Sequence, residues 1–459
     1  MKVFNIKNQK TLSSCLYELV DKVTQNLKGR MSKKEMVIVK YPYYRAKISD
    51  FKYDKGNKSY ATSFEPILKD RWDDRKKFKF LAEVKEFGEF QETAGIISEN
   101  YKMEKNQADY LLERFVHKII DQSLSDISEQ TSLEIISMFI ADLEQTPKNW
   151  HPIIWISGIN MDAGLVNISK NIHIKKPEPA DLEFETPIYS KPTFIRYDLS
   201  FRMPDTIIKA KYREKSNRDT QKRIEALIST LRLYKVGSVI STQIELNPDS
   251  VFAMGGVLHS HKTSAPMKYE LDKNDERKLQ DFYNLFEPIV TSLIDKKDKR
   301  DLNYVTIAFE RYNTALEETR PESRLTYATM CLEALYLGAE TEMTRRLSQR
   351  VSCALSLLGY KPLEVSSVMK RSYKIRSRFV HGVIIKDKDR KNSGKLEKEL
   401  LEYSRSSLLM FMQIQDKIKK DNFLTKLDTS LLDGKEKNKL KEFISKNCQI
   451  VEINPSYPC

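Results

Sequence analysis

The chain has 459 residues, a formal net charge of +14 at pH 7 and five cysteines. This length exceeds one ordinary domain, so we expect two or three domains that bury their own cores without a metal or a disulfide. The cysteines are widely spaced without a CxxC pair, and the sequence shows neither a signal peptide nor a run of about eighteen apolar residues. We therefore expect a cytoplasmic protein with no membrane anchor and no cofactor. The basic charge suits RNA or another polyanion, but it also fits a merely solubilising excess of lysine.

The first two-thirds of the chain predict a mixed α/β region. Five short apolar runs bounded by polar turns have the pattern of β-strands, at residues 35–41, 78–84, 151–158, 194–201 and 238–246. Two stretches have helical spacing, at residues 105–144 and 219–234. This region contains no glycine-rich phosphate loop and no GxSxG motif, so no familiar catalytic motif is present there.

From about residue 274 the pattern is helical almost without a break. Apolar stripes at three- and four-residue spacing predict helices over residues 279–293, 305–316, 322–337, 341–358, 365–381 and 396–419, with a short helical tail after residue 421. Such stripes need partner helices, and a bundle satisfies them. We therefore predict an α+β multidomain chain, with a mixed α/β region at 1–270 that divides near 148–150, an all-α bundle at 271–421 and a helical tail at 422–459.

The helix that ends near residue 381 carries the residues suited to chemistry. Tyr373, Arg376, Ser377 and His381 precede Gly382 within ten residues. Metal-independent cleavage of RNA requires a base for the 2′-hydroxyl, an acid for the leaving 5′-oxygen and a cation over the phosphorane. Histidine supplies the acid and base, and a guanidinium supplies the cation. The Arg–His spacing alone is weak, because a chain with six histidines contains such a pair about once by chance.

The surroundings of this motif resemble the Apea-like branch of the HEPN superfamily, in which a Tyr precedes Arg-Ser, an apolar pair and His-Gly. The resemblance extends over residues 231–419, and it includes the segment with Leu332 and Glu333, residues 346–359 and residues 403–408. It departs at Ser377, where many catalytic members have Asn, His or Asp. The resemblance implies an all-α HEPN bundle with the activity of a metal-independent endoribonuclease that leaves 2′,3′-cyclic phosphate ends.

The resemblance also assigns roles to residues and partners. Arg376 and His381 would be catalytic, with Glu333, Tyr373 and Ser377 in support, and RNA would contact basic side chains at Arg371, Lys374, Arg378, Lys386 and Lys388. Five positions on an ideal helix differ by about 140° in azimuth, and one chain holds one motif, so a homodimer or higher homo-oligomer would complete the site. The resemblance implies a role in antiviral abortive infection through cleavage of cellular or phage RNA, with tRNA as one candidate substrate. The N-terminal region would then bind a phage-derived trigger.

Other interpretations stay open. The bundle would equally suit a non-catalytic scaffold that dimerises and binds RNA or nucleotide, or a subunit whose basic surface meets an acidic protein. His259 and His261 have the spacing of metal ligands on a strand, but surface histidines fit the pattern better. Trp150 and Trp155 would stack bases in one interpretation and belong to a core in the other, which we favour.

Overall fold

A computed structural model describes most of the chain. The described residues are 6–54, 57–125, 128–187, 204–253, 255–260, 265–338, 342–383 and 393–449. They form a mixed α/β N-terminal part and a helical C-terminal half, as the sequence predicts. Within these ranges no helix combines the length and the apolar character that crossing a membrane requires.

The N-terminal part begins with a layer of helices. These are α1 (Ile6–Ser32), α2 (Asp74–Val84), α3 (Gly88–Tyr101), α4 (Lys105–Gln122) and α5 (Glu129–Leu143), with one 3-10 turn at Ser123–Ser125. Their apolar residues recur at helical spacing and close over one hydrophobic cluster, in which Phe115 and Phe139 pack with ring centroids 4.6 Å apart. This layer therefore has a core of its own.

A long hairpin is inserted between the first two helices. Strands β1 (Ile38–Asp54) and β2 (Asn57–Trp72) pair antiparallel, and β8 (Phe184–Pro187) adds to the other edge of β1. Ala46 and Trp72 are buried on one face of the hairpin, and Ile48 on the same face packs beside Trp155. That face is packed near Trp72 and near Ala46, and between them it is exposed at Lys40 and Leu68.

The α/β part is built on a mostly antiparallel sheet. Within the described residues its strand order is β12-β11-β4-β9-β7-β6, with the bounds Gly256–His259, Ile240–Leu246, Ile153–Ser157, Thr206–Ala210, Ile172–Lys175 and Leu165–Ser169. Shorter strands form two-stranded pairs beside it, namely β3 (Lys148–Trp150) with β10 (Tyr212–Glu214) and β5 (Ile159–Met161) with β13 (Tyr269–Leu271). Helix α6 (Pro179–Leu182) is a single turn, and α7 (Asn217–Tyr234) is long and largely buried.

The C-terminal half is a bundle of eight described helices. They are α8 (Asp275–Asp298), α9 (Tyr304–Glu317), α10 (Pro321–Tyr336), α11 (Met343–Ser356), α12 (Pro362–Val380), α13 (Ser393–Ile414), α14 (Lys420–Ser430) and α15 (Gly434–Asn447). An ion pair between Arg324 of α10 and Glu397 of α13 lies inside the bundle, where both residues are buried. Arg324 also donates to the Glu318 carbonyl, so its guanidinium is well satisfied.

One hydrophobic cluster joins the sheet to the bundle and runs from Trp150 to Cys448. The predicted boundary at residue 270 therefore separates types of secondary structure, whereas the core is continuous across it. The tail after residue 421 packs into the same cluster through Phe423 and Leu440. The helical layer before residue 143 forms the other large cluster, close to the predicted division at 148–150.

The predicted elements differ from the observed ones in several places, and strands β2, β6 and β7 had no predicted counterpart. Residues 78–84 are not a strand but part of α2, because Asp73 caps the helix by accepting from the Lys76 N–H and because Phe80, Leu81 and Val84 are buried on one helical face. Helices α1 and α3 had no counterpart among the predicted elements. The predicted strand at 194–201 lies outside the described residues.

Candidate functional site

Helix α12 carries the predicted Arg–His motif and packs by one apolar face. Val365, Val368, Met369, Ser372 and Ile375 are buried, and Pro362 occupies the first turn, where its missing N–H costs nothing. Arg376 follows Ile375 at the border of this buried face and is partly exposed. The helix therefore presents the arginine at the edge of the bundle core.

Arg376 is held by a carboxylate from a neighbouring helix. Its Nη2 lies 3.3 Å from Oε2 of Glu333 on α10, and the two side chains retain 23% and 18% exposure. The guanidinium also lies over the ring of Tyr373, 5.7 Å from the ring centroid. Glu333 and Tyr373 thus both contact Arg376.

The polar groups around Arg376 are incompletely satisfied. Arg376 Nε, Glu333 Oε1 and the Ser372 hydroxyl are buried and lack a hydrogen-bond partner among the described residues. Burial raises the pKa of the Glu333 carboxyl, and the Arg376 guanidinium offsets only part of that rise. These three atoms therefore keep unused hydrogen-bonding capacity beside the ion pair.

His381 is the first residue beyond α12 and has an exposed side chain. The Gly382 N–H donates to the Phe379 carbonyl at 3.1 Å, and the Val383 N–H donates to the Arg378 carbonyl at 2.8 Å. This pair of bonds is the Schellman motif, and Gly382 supplies its left-handed residue with a φ of +67°. The motif fixes the backbone that carries His381 and ends the helix there.

Apolar side chains surround this histidine on the surface. Phe379, Val380 and Val383 are 37%, 53% and 53% exposed. We call these three residues the apolar rim. Contiguous exposed apolar surface often marks a place of association. The apolar rim is therefore a candidate surface for association.

Three of the five predicted RNA-contacting residues lie on α12. Arg371 and Lys374 are exposed and Arg378 is half-buried, whereas Lys386 and Lys388 lie outside the described residues. On an ideal helix Lys374 lies about 20° from His381, and Ser377 lies between His381 and Arg376. Ser377 is half-exposed, and its carbonyl accepts the His381 N–H at 3.1 Å. Within one protomer Arg376 and His381 thus stay on different sides of the exposed helix surface.

The minor candidates have simple placements. Trp150 and Trp155 are buried in cores, and the Trp150 Nε1 donates to the Glu214 carbonyl, so neither ring can stack on a base. His259 is exposed on the edge strand β12, and His261 lies outside the described residues. In the described part of the chain no three His, Cys, Asp or Glu side chains are grouped as metal ligands.

No family model, curated protein or solved structure matches this chain. The function is therefore inferred from the site itself and from the residues of its motif.

Arg405 of α13 is a buried cation within the segment 403–408, and the sequence pattern predicts no role for it. Arg405 of α13 donates to Glu402 and, through Nη1, to the Leu233 and Tyr234 carbonyls at 2.9 and 3.2 Å. It thereby caps the carboxyl end of α7. Tyr360 donates to Glu402 at 3.0 Å and completes the network. A buried arginine of this kind is recognisable only once the packing is known.

Proposed function

We propose that this chain is a metal-independent endoribonuclease of the HEPN type, whose active site is completed by a second copy of the chain. The observation that carries the proposal is that one short stretch of α12 presents both Arg376, oriented by Glu333 and Tyr373, and an exposed His381 at the helix end. The resemblance of the motif to Apea-like HEPN domains supports the proposal by analogy.

The proposed chemistry uses two histidines and an arginine. A neutral His381 imidazole takes the proton of the 2′-hydroxyl, and the 2′-oxygen attacks the adjacent phosphorus. The protonated His381 of the second copy gives its proton to the 5′-oxygen as the P–O5′ bond breaks. Arg376 stabilises the charge on the equatorial oxygens. The products are a 2′,3′-cyclic phosphate and a 5′-hydroxyl, and no metal is needed for any step.

The dimer is part of the proposal. On one helix the two side chains differ by about 140° in azimuth, so a single protomer does not present both to one phosphate. Apposing two α12 helices across the apolar rim would bury Phe379, Val380 and Val383 and join each Arg376 to the opposite His381. The cellular role implied by the resemblance is antiviral abortive infection, in which the N-terminal region restrains the nuclease until a phage-derived trigger is bound.

The test is cleavage of total cellular RNA by the purified full chain in excess EDTA. We expect His381→Ala and Arg376→Ala each to lower cleavage by at least about a hundredfold, as general acid–base groups do when removed. Matched controls are His259→Ala, which removes another exposed imidazole, and Lys370→Ala, which removes another exposed cation of α12. Both controls should cleave as the wild type does, and the new ends should be 2′,3′-cyclic phosphates.

A second candidate is a non-catalytic RNA-binding or nucleotide-binding scaffold. It is favoured by the ion pair between Arg376 and Glu333. The geometry of this pair suits a structural contact as well as an arginine held in position for catalysis. If the wild type stays inactive with infected-cell lysate added, while both site variants still bind RNA and dimerise normally, the scaffold explains the protein better.

A further inference from the structure

The hairpin of β1 and β2 has a second face that differs from the packed one. Cross-strand partners share a face, and so do alternate residues along each strand. The face opposite Ala46 and Trp72 carries Val39, Tyr41, Tyr43, Arg45 and Lys47 on β1 and their partners Arg71, Lys69, Ile67, Glu65 and Ser63 on β2. We call this set the outer face. Its members are half-buried or exposed, and none is fully buried.

Aromatic rings and cations alternate on the outer face. The Lys69 ammonium lies 5.3 Å from the ring centroid of Tyr43, and the Arg71 guanidinium lies 5.2 Å from that of Tyr41. The two rings meet edge to face at 5.9 Å. The four form one continuous patch of π-systems and positive charge.

The net charge of the outer face is positive. Arg45, Lys47, Lys69 and Arg71 outnumber the acidic residues of this face, because Glu65 pairs with Lys47 at 2.6 Å and Glu185 of β8 is the cross-strand partner of Arg45. Arg71 also contacts Asp74 at 2.9 Å, beyond the end of the strand. Such surface pairs contribute little energy and are readily exchanged for phosphates.

We infer that the outer face binds single-stranded nucleic acid, with bases stacked against Tyr41 and Tyr43 and phosphates neutralised by Lys69 and Arg71. A positively charged track combined with aromatic rings is the arrangement that binds single strands without reading their sequence. Paired bases in a duplex are already stacked and offer no free face to a ring. An acidic protein would pair with the cations, but it would not explain why two tyrosine rings lie beside them.

This inference goes beyond the proposed nuclease and does not depend on it. A 2′-O-methyl RNA lacks the 2′-hydroxyl that the proposed cleavage requires, so its binding can be measured whether or not the chain is a nuclease. Failure of one proposal therefore leaves the other testable.

The experiment measures the anisotropy of fluorescein-labelled 16-nucleotide strands with the full chain. The probes are one mixed sequence as 2′-O-methyl RNA, as DNA and as the DNA duplex. The variants are Tyr41→Ala with Tyr43→Ala, and Lys69→Gln with Arg71→Gln. Lys40→Gln with Lys79→Gln is the charge control, because Lys40 is exposed on the packed face and Lys79 is exposed on α2. Tyr110→Ala is the aromatic control, since that ring is 59% exposed on α4.

We expect the tyrosine variant to bind both single strands at least about tenfold more weakly, because each stacked base contributes strongly. The cation variant should weaken binding and lower the slope of log K against log salt by about 1.4, for two phosphate contacts at about 0.7 each on a single strand. Both controls should stay within about twofold of the wild type. Tyr41→Phe with Tyr43→Phe should restore binding, which separates loss of the rings from loss of the fold.

The inference would be overturned in favour of unspecific charge by two results together. The tyrosine variant would bind as the wild type does, and single strand, duplex and poly-glutamate would bind equally well. An alanine variant and a phenylalanine variant that lose binding alike would also overturn it. Equal affinity for the two single strands supports the inference as stated. A preference for the RNA strand also supports it and identifies RNA as the ligand.

Discussion

Removing Arg376 should make the stability of the protein strongly dependent on pH, through the carboxylate that it leaves behind. The pKa of Glu333 already lies above its ordinary value of 4.5 because of burial, and Arg376 lowers it. Arg376→Ala should therefore raise that pKa further. Between pH 4.5 and the raised pKa the folded variant binds more protons than its unfolded chain, so its free energy of unfolding falls as the pH rises.

The size of the effect follows from the geometry of the pair. The contact of 3.3 Å corresponds to a Coulomb attraction of about 5 kcal/mol at an effective dielectric constant of 20. Desolvation of the two groups cancels more than half of this attraction, and a charge-assisted hydrogen bond contributes about 1.5–3 kcal/mol net. We expect a loss of about 2 kcal/mol at pH 8, and a much smaller loss at pH 4.5, where Glu333 is largely protonated in the variant.

Urea denaturation at pH 4.5, 6 and 8 measures this directly. The set is the wild type, Arg376→Ala, Glu333→Gln, the double variant and Lys374→Ala, which removes an exposed cation of the same helix. The double variant should be more stable than Arg376→Ala at pH 8, because no buried carboxylate remains. A destabilisation by Arg376→Ala that is the same at all three pH values, or a double variant as unstable as the single one, would refute the reasoning.

Two further predictions concern the bundle and its association. Arg324→Met should cost about 3–5 kcal/mol in urea denaturation because Glu397 is left buried without a partner, and adding Glu397→Leu should recover most of the loss; no recovery would contradict this explanation. Phe379→Ser with Val383→Ser should shift the protein from dimer to monomer in sedimentation equilibrium, with the unfolding free energy of the monomer nearly unchanged, because both side chains are already exposed. A wild type that is monomeric at tens of micromolar would remove the basis for the second prediction.

The bundle was predictable from the sequence because its helices are amphipathic and end at recognisable stops. Helix α11 ends at Ser356, shortly before Gly359, which takes a positive φ of 94°. Helix α2 was predicted as a strand since its aromatic and aliphatic residues form a short run without a clear period. The continuity of the core across residue 270 could not be predicted, because spacing along the chain reports which face is buried and not what it is buried against.

The candidate site was predictable only as a set of residues. The positions of Arg376, His381 and Gly382 follow from local helix geometry, and the contact with Glu333 follows from the resemblance. The exposed apolar rim was not predicted, since Phe379 fits the spacing of the buried stripe. The outer face of the hairpin also went unnoticed, although Tyr41, Tyr43 and Arg45 alternate in the sequence as members of one strand face do.

The hydrophobic core that joins the sheet to the bundle limits where this chain can be divided. Arg405 anchors the bundle to the last carbonyls of α7, and the apolar core passes without interruption from Trp150 to Cys448. A fragment cut at residue 270 would expose the surface that α7 covers and would leave Arg405 without its carbonyl acceptors. We therefore expect that the helical half does not fold without the sheet and α7.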